Sequence, residues 1–369
     1  MSLTDVLQDT YARDQRVWDA CASVYEDRIV GGHPDVTAYE SFEEDLLDRV
    51  LLYLARERKK RLGLYDVGCG SGRLHLRYAM KTTRVAQLKK ADAQVLERAR
   101  IKNPAFAYDP LLAERLVLVG GVDFSAQMLE LARAKLRKNG LDSLLDNKMF
   151  FDHGSAFDLQ PMEREPFPVA ISVCNSIGVM QGPEGAAKLF KAMRRAVESA
   201  GGIAIISGYR REAVATFALG NYESTMDVSG QPRWLIPDKY ATSGYIQVPR
   251  TYKRAHSADE SVVVDVRDTD GNLVKEGQVL TRDKDAVRET VATGHIRTHT
   301  AYTSHWYGFD AFEEWIAQHW PSLNAYHIAG KDLDALRGEP MQMAILDTNG
   351  ELKGLLQRWG CMPERNGAT

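Results

Sequence analysis

Residues 64–73 read Leu-Tyr-Asp-Val-Gly-Cys-Gly-Ser-Gly-Arg. An apolar run carrying Asp66 leads into glycines at Gly68, Gly70 and Gly72. That pattern predicts a buried strand running into a tight turn without side chains, so that backbone lies directly against a ligand. The spacing is G-x-G-x-G, whereas the dinucleotide fingerprint is G-x-G-x-x-G. Arg73 stands where the third dinucleotide glycine would fall, which makes a nicotinamide oxidoreductase a poor fit.

The remaining features narrow the setting. A chain of 369 residues suits two domains, or one domain with a large insertion. The net charge of −3 gives no reason to expect a polyanion such as nucleic acid as partner. No apolar run is long enough to cross a bilayer, and the first residues lack the pattern of a signal peptide. The four cysteines are scattered without a C-x-x-C pair, so neither a disulfide framework nor a metal site is expected, and a cytoplasmic location fits.

Periodicity predicts α/β organisation. Two helices, about 4–30 and 38–60, precede a first strand at 62–67. A helical insertion over about 80–115 delays the second strand to Leu116–Val122. Its roles are left between a cofactor cover and a subunit contact, so a homodimer is one arrangement open to the chain. A helix at Ser125–Lys138, strands at Met149–Asp152 and Val169–Cys174, a helix at Pro183–Ser199 and a strand at Gly202–Ser207 follow. Strand alternating with helix implies a parallel sheet. After Tyr209 the texture changes to alternating β runs, including a hairpin of Ser261–Arg267 with Gly277–Arg282 around Thr269-Asp-Gly-Asn. A helix at 309–320, strands near 324–329 and at Gln342–Asp347, and a helix at 351–358 complete the core. The expected division is a helical lid (1–60), a ligand-binding core (61–208), an inserted antiparallel β substrate domain (209–305) and core completion with a tail (306–369).

Asp66 followed by Gly68, Gly70 and Gly72 resembles motif I of the class I S-adenosylmethionine (SAM) dependent methyltransferases. The resemblance covers about 60–208 and 305–347 and implies a Rossmann-like seven-stranded core with SAM as cofactor. It implies that Asp66, Gly68, Cys69, Gly70 and Gly72 pass under the methionine part of SAM, with Arg73 at its carboxylate or simply on the surface. Val122-Asp123-Phe124-Ser125 resembles the next motif, in which an acid accepts bonds from both ribose hydroxyls; the alternative for Asp123 is a helix cap, which Ser125 could provide instead. Met128 is placed at the adenine or in the core. Gly154-Ser155-Ala156-Phe157-Asp158 resembles the segment bordering adenine, with Ser155 where the family often has an acid.

Cys174-Asn175-Ser176 is not the N/D-P-P-Y/F box of enzymes acting on nucleic-acid bases. It is similar to the run after strand four of glycine and sarcosine N-methyltransferases. Cys174 and Asn175 would then border the cofactor, with Asn175 near the sulfonium or else only terminating the strand. Tyr209-Arg210-Arg211 follows the fifth strand, where that group places an arginine against a substrate carboxylate; a solvated arginine pair is the alternative. Tyr11, Trp18 and Tyr25 supply aromatic groups to the lid. Tyr25, Tyr209 and His305 are further catalytic candidates, His305 as a base or as a packing residue.

The reading that follows is a SAM-dependent methyltransferase acting on a small amine- or carboxylate-bearing metabolite. Two alternatives stand beside it. One is cyclisation of SAM to azetidine-2-carboxylate with release of methylthioadenosine; the other is SAM binding without catalysis.

Overall fold

The computed structural model describes residues 15, 18, 19, 22, 34–210, 245–251, 262–267, 273–279, 301–321 and 324–361. Of residues 34–39, 245–251, 262–267, 273–279 and 301–306 the backbone alone is described.

The elements run α1 (Pro34–Arg56), β1 (Leu62–Val67), α2 (Arg73–Thr82), α3 (Lys90–Lys102), α4 (Pro110–Arg115), β2 (Leu116–Asp123), α5 (Ala126–Lys138), β3 (Met149–His153), β4 (Phe167–Ser172), α6 (Gly182–Glu198) and β5 (Ile203–Tyr209). Then come β6 (Tyr245–Thr251), β7 (Val262–Arg267), β8 (Leu273–Val279), β9 (Ala301–Tyr307), α7 (Phe309–His319), β10 (Ala325–Ala329), α8 (Gly330–Leu333), β11 (Met341–Asp347) and α9 (Lys353–Arg358).

Seven strands form one sheet in the order β10-β11-β5-β4-β1-β2-β3. The strands from β3 to β5 are parallel, as expected, with β1 in register between β2 and β4. The last strand departs from the expected parallel sheet, because β11 is antiparallel to both β5 and β10. The link from β10 to β11 carries only the one-turn helix α8. A parallel return needs a longer crossover, so the chain turns back on itself.

Side chains alternate across the sheet, so each strand feeds two cores. Ile203 and Ile205 of β5 join Leu64, Val169 and Met343 beneath α1, α2 and α5, whereas Ala204 and Ile206 join Phe190 of α6 and Phe312 and Trp315 of α7. Helix α1 reaches its core through Phe42, Leu46, Leu47, Val50, Leu51 and Leu54, a stripe at helical spacing. Each fully buried leucine or phenylalanine there contributes about 1.5–3 kcal/mol. This packing fixes α1 over the sheet and sets its polar residues at the sheet's carboxyl edge.

Several boundaries differ from expectation. Helix α1 begins at Pro34, whose fixed φ suits a first helical turn, and stops at Arg56 rather than 60; Lys59 beyond it is left-handed. Strand β4 stops at Ser172 because Cys174 and Asn175 are both left-handed. Strand β5 continues to Tyr209, so that residue lies in the sheet instead of after it. Residues 80–115 are helical as expected, apart from breaks at 83–89 and 103–109, each of which holds only a 3-10 turn. The hairpin of β7 and β8 is antiparallel, but β8 starts at Leu273, directly after the turn. Among the described residues, β6 pairs with β9 and β7 with β8, as two separate two-stranded ribbons. Arg210 bridges to Tyr307, so the two ends of this stretch leave and re-enter the core side by side. No helix among the described residues is long and apolar enough to cross a membrane.

Candidate functional site

The glycine turn lies where the strand order reverses, with β4 on one side of β1 and β2 on the other. In open α/β sheets this crevice at the carboxyl ends of the strands is where ligands bind. Gly68, Gly70 and Gly72 all have positive φ, at 79°, 51° and 71°. Their surroundings differ. A Cβ on Gly68 would come within 2.9 Å of Met180, and one on Gly72 within 2.7 Å of Ala132. A Cβ on Gly70 would meet none of the described residues within 4 Å. Protein packs against Gly68 and Gly72; among the described residues, Gly70 is open.

Asp123 ends β2 beside this turn and is buried. Its carboxylate accepts the Gly70 N–H at 2.8 Å through Oδ2 and the Ser125 N–H at 2.9 Å through Oδ1. It therefore ties the glycine turn to the start of α5. Burial pushes its pKa up while the two backbone bonds oppose that shift. The cap of α5 is Ser125, whose Oγ accepts the Met128 N–H at 3.2 Å. Each Asp123 oxygen retains acceptor capacity beyond its backbone bond. Met128 is fully buried on the first turn of α5.

Next along the edge, the Ser155 Oγ accepts the Phe157 N–H at 3.1 Å and shapes the turn after β3. Ala156 and Phe157 pack on the core beneath α6. The Phe124 carbonyl accepts from Gln15 Nε2 at 2.8 Å, and His153 Nε2 lies 2.9 Å from the same oxygen. Asp19 accepts from the Ser125 hydroxyl at 2.6 Å and from the Gln127 N–H at 3.3 Å. Gln15, half-buried Trp18, Asp19 and Ala22 have helical backbone. Gln15 and Asp19 thus rest on the residues that follow β2.

On the other side of the turn stands an ionic ladder between α1 and α2. Arg73 pairs with Glu43 at 3.1 Å and Glu44 at 2.7 Å. Arg77 pairs with Glu44 at 2.7 Å and Asp48 at 2.6 Å, and Lys81 with Asp48 at 2.9 Å. Cations at 73, 77 and 81 share one face of α2, and acids at 44 and 48 share one face of α1. The guanidinium of Arg73, expected at a ligand carboxylate or on the surface, is engaged by these two glutamates.

Glu43 is the fully buried junction of the ladder with the sheet. Its carboxylate accepts the Cys174 N–H, at 2.9 and 3.1 Å, and the Ser207 hydroxyl. Glu40, one turn earlier, accepts from the Cys174 thiol at 3.4 Å. Sequence reasoning passed over both glutamates. The available signal was Glu40, Glu43, Glu44 and Asp48 at helical spacing before a strand, but such a pattern reads as a solvated face until the partner helix is known.

Cys174 and Asn175 adopt φ of 57° and 56°, a costly conformation for two successive residues with side chains. Glu43 holds the first through its N–H. Asn175 holds itself against β5, its Oδ1 accepting the Tyr209 N–H at 2.9 Å. Tyr209 is buried at the end of β5. Arg210 is also buried; its N–H donates to Pro340 O at 2.8 Å and its Nη1 to Glu339 O at 3.3 Å. Asn175, Tyr209 and Arg210 therefore share one end of the sheet with Cys174, Glu43 and the glycine turn. Tyr11, Tyr25 and Arg211 lie outside the described residues. His305 is described as backbone alone, within β9.

The buried Asp66 carboxylate has no hydrogen-bond partner among the described residues, and burial pushes it up to about 7. An orphaned acid before the turn, an open Gly70 and a backbone-anchored Asp123 form a donor set that fits a ligand with both a polar amino-acid end and a ribose.

The seven-stranded α/β sheet carries its antiparallel strand β11 inserted next to β5. No family model and no curated protein matches this chain. Solved structures similar to it include the CcbJ methyltransferase from Streptomyces caelestis, at 12% identity and TM-score 0.43 over 90% of this chain and 97% of that one. A SAM-dependent methyltransferase from Clostridium acetobutylicum aligns at 12% identity and TM-score 0.40, over 89% of this chain and 98% of that one. The DhpI–SAH complex aligns at 11% identity and TM-score 0.38, over 91% and 95%.

Proposed function

We propose that this protein is a SAM-dependent methyltransferase acting on a small amine- or carboxylate-bearing metabolite. The observation that carries this reading is the open face of Gly70 beside Asp123 at the point where the strand order reverses. The backbone of the glycine turn would lie along the methionine part of the cofactor, and Asp123 would take the ribose hydroxyls with its remaining acceptor capacity. Ala156 and Phe157 would border the adenine. When bound, SAM supplies a methyl carbon activated by its sulfonium, and the transfer to a nucleophile is an in-line displacement. The residues of this chain need only align the acceptor and exclude water. Gln15 and Asp19 bond to Phe124 and Ser125 at the start of α5, which supports a covering role for them. Asn175, Tyr209 and buried Arg210 share one end of the sheet, which supports seating the acceptor there.

Calorimetry with S-adenosylhomocysteine (SAH) tests the cofactor, with saturable binding at one site expected. The proposal fails when neither SAM nor SAH binds. Mass spectrometry after incubation with SAM, with and without a pool of small amines and amino acids, tests the reaction. SAH formed only in the presence of the pool is expected; methylthioadenosine formed without it would mean cyclisation or lysis of the cofactor instead.

A further inference from the structure

The ladder at the edge of the glycine turn is not electrically balanced. Glu40, Glu43, Glu44, Asp48 and Asp66 face Arg73, Arg77 and Lys81. The two Nη atoms of Arg73 are committed to Glu43 and Glu44. Arg77 and Lys81 are committed further down, to Glu44 and Asp48. Among the described residues, two carboxylates at the ligand end are left without a cation in hydrogen-bonding contact. Glu40 is 7% exposed and its one hydrogen bond among those residues is to a thiol, a weak donor. Asp66 is 5% exposed and has no hydrogen bond among the described residues. Both feel Arg73 and Glu43, so they share one neighbourhood. Buried carboxylates without partners are costly, and a cation arriving from solution would relieve that cost.

We propose that Glu40, with Asp66 sharing its neighbourhood of Arg73 and Glu43, is the seat for a ligand ammonium group: the α-ammonium of the cofactor or the amine of the acceptor. This rests on the reading that SAM and SAH bind at the glycine turn. The charged and titratable groups facing Glu40 are Arg73 from α2, Cys174 after β4, and Glu43 and Glu44 on its own helix. Burial pushes Glu40 up to about 7, so below pH 7 the seat is neutral and loses its attraction for a cation. An ammonium ligand favours the ionised form and binds with release of a proton. Its affinity falls as pH drops from 8 to 6, by at most about tenfold per pH unit for each linked carboxylate.

The test compares wild type with E40Q by calorimetry at pH 6 and 8, using SAH, its deaminated analogue, and methylammonium chloride added to SAH-loaded protein. If the cofactor supplies the ammonium, E40Q weakens SAH about tenfold at pH 8, flattens its pH dependence and leaves the deaminated analogue within twofold. If the acceptor supplies it, E40Q binds SAH normally and only SAH-loaded wild type binds methylammonium. Equal weakening of SAH and its deaminated analogue would assign Glu40 a structural role and overturn the seat. So would identical behaviour of wild type and E40Q toward all three probes. Wild type that binds no SAH would overturn the methyltransferase reading together with the seat, whereas wild type that binds SAH, with SAH and methylammonium binding both indifferent to Glu40, would overturn the seat alone. Should E40Q fail to fold, E40D carries the same comparison, keeping the charge but withdrawing it by one methylene; the loss expected is threefold or more, again confined to ligands with an amine.

Discussion

The two sides of the glycine turn hold buried carboxylates in opposite ways. On the β2 side Asp123 is bonded to two backbone N–H groups, from Gly70 and Ser125. On the α1 side Glu43 is bonded to backbone, hydroxyl and guanidinium, while Glu40 and Asp66 have almost nothing. The first arrangement is local, made by residues within one turn of each strand end. The second exists only because α1 packs over the sheet. A carboxylate satisfied by backbone is a fixed part of a binding surface, whereas one left short of partners is poised to respond to a ligand or to pH.

The largest effect should come from breaking the junction. E43A leaves the Cys174 N–H and the Ser207 hydroxyl without their acceptor and frees one arm of Arg73. Removing one partner from a buried ionic network costs about 3–5 kcal/mol. Urea denaturation of E43A should show that loss, and a value under about 1 kcal/mol would mean the ladder does not anchor α1.

This contrast also explains what the sequence disclosed. The strand-turn sequence Asp66–Gly72, the acid at the end of β2 and the cap at Ser125 are local patterns, and the structure forms each where the residues imply. The alternation of strand and helix in the core was equally legible. Glu40 and Glu43 were not, because their meaning depends on partners more than a hundred residues away, at Cys174 and Ser207. The antiparallel direction of β11 was hidden for a related reason: it depends on what α8 leaves room for. Asn175 was singled out for its chemistry, but its left-handed backbone and its bond to Tyr209 are tertiary facts.

G72A comes next in size. Its new methyl would sit 2.7 Å from Ala132 Cβ and 3.4 Å from Phe151, at a φ of 71°. Overpacking and left-handed strain together should cost about 2–4 kcal/mol, read as a lower denaturation midpoint. An unchanged midpoint would mean that α5 moves aside freely and that the turn is not tightly backed by protein.

E40Q should change stability in the other direction, and only at high pH. The folded-state value of about 7 lies above the ordinary 4.5, so the folded protein holds a proton on Glu40 more tightly than the unfolded chain does. Ionised Glu40 therefore destabilises the fold, fully above pH 7, and the penalty disappears as pH falls toward 4.5. E40Q should be more stable than wild type at pH 8 by up to about 3 kcal/mol, with under about 1 kcal/mol left at pH 5 and the difference gone below about pH 4. A difference at pH 5 as large as that at pH 8 would trace to packing, and Glu40 would then belong with the satisfied carboxylates.

The smallest expected stability change separates ligand from protein most cleanly. Gly70 has none of the described residues within 4 Å of where a Cβ would stand, so among them G70A meets no protein atom and bears only the left-handed strain of φ 51°, about 1–2 kcal/mol. The same methyl would project into the space assigned here to the cofactor. SAH affinity should therefore fall tenfold or more while the fold survives, the reverse of the balance expected for G72A, where the damage falls on stability. Calorimetry and denaturation of the two variants side by side read this directly. If G70A binds SAH as wild type does, the open face of the turn is not a ligand wall, and the site must lie elsewhere on the edge of the sheet.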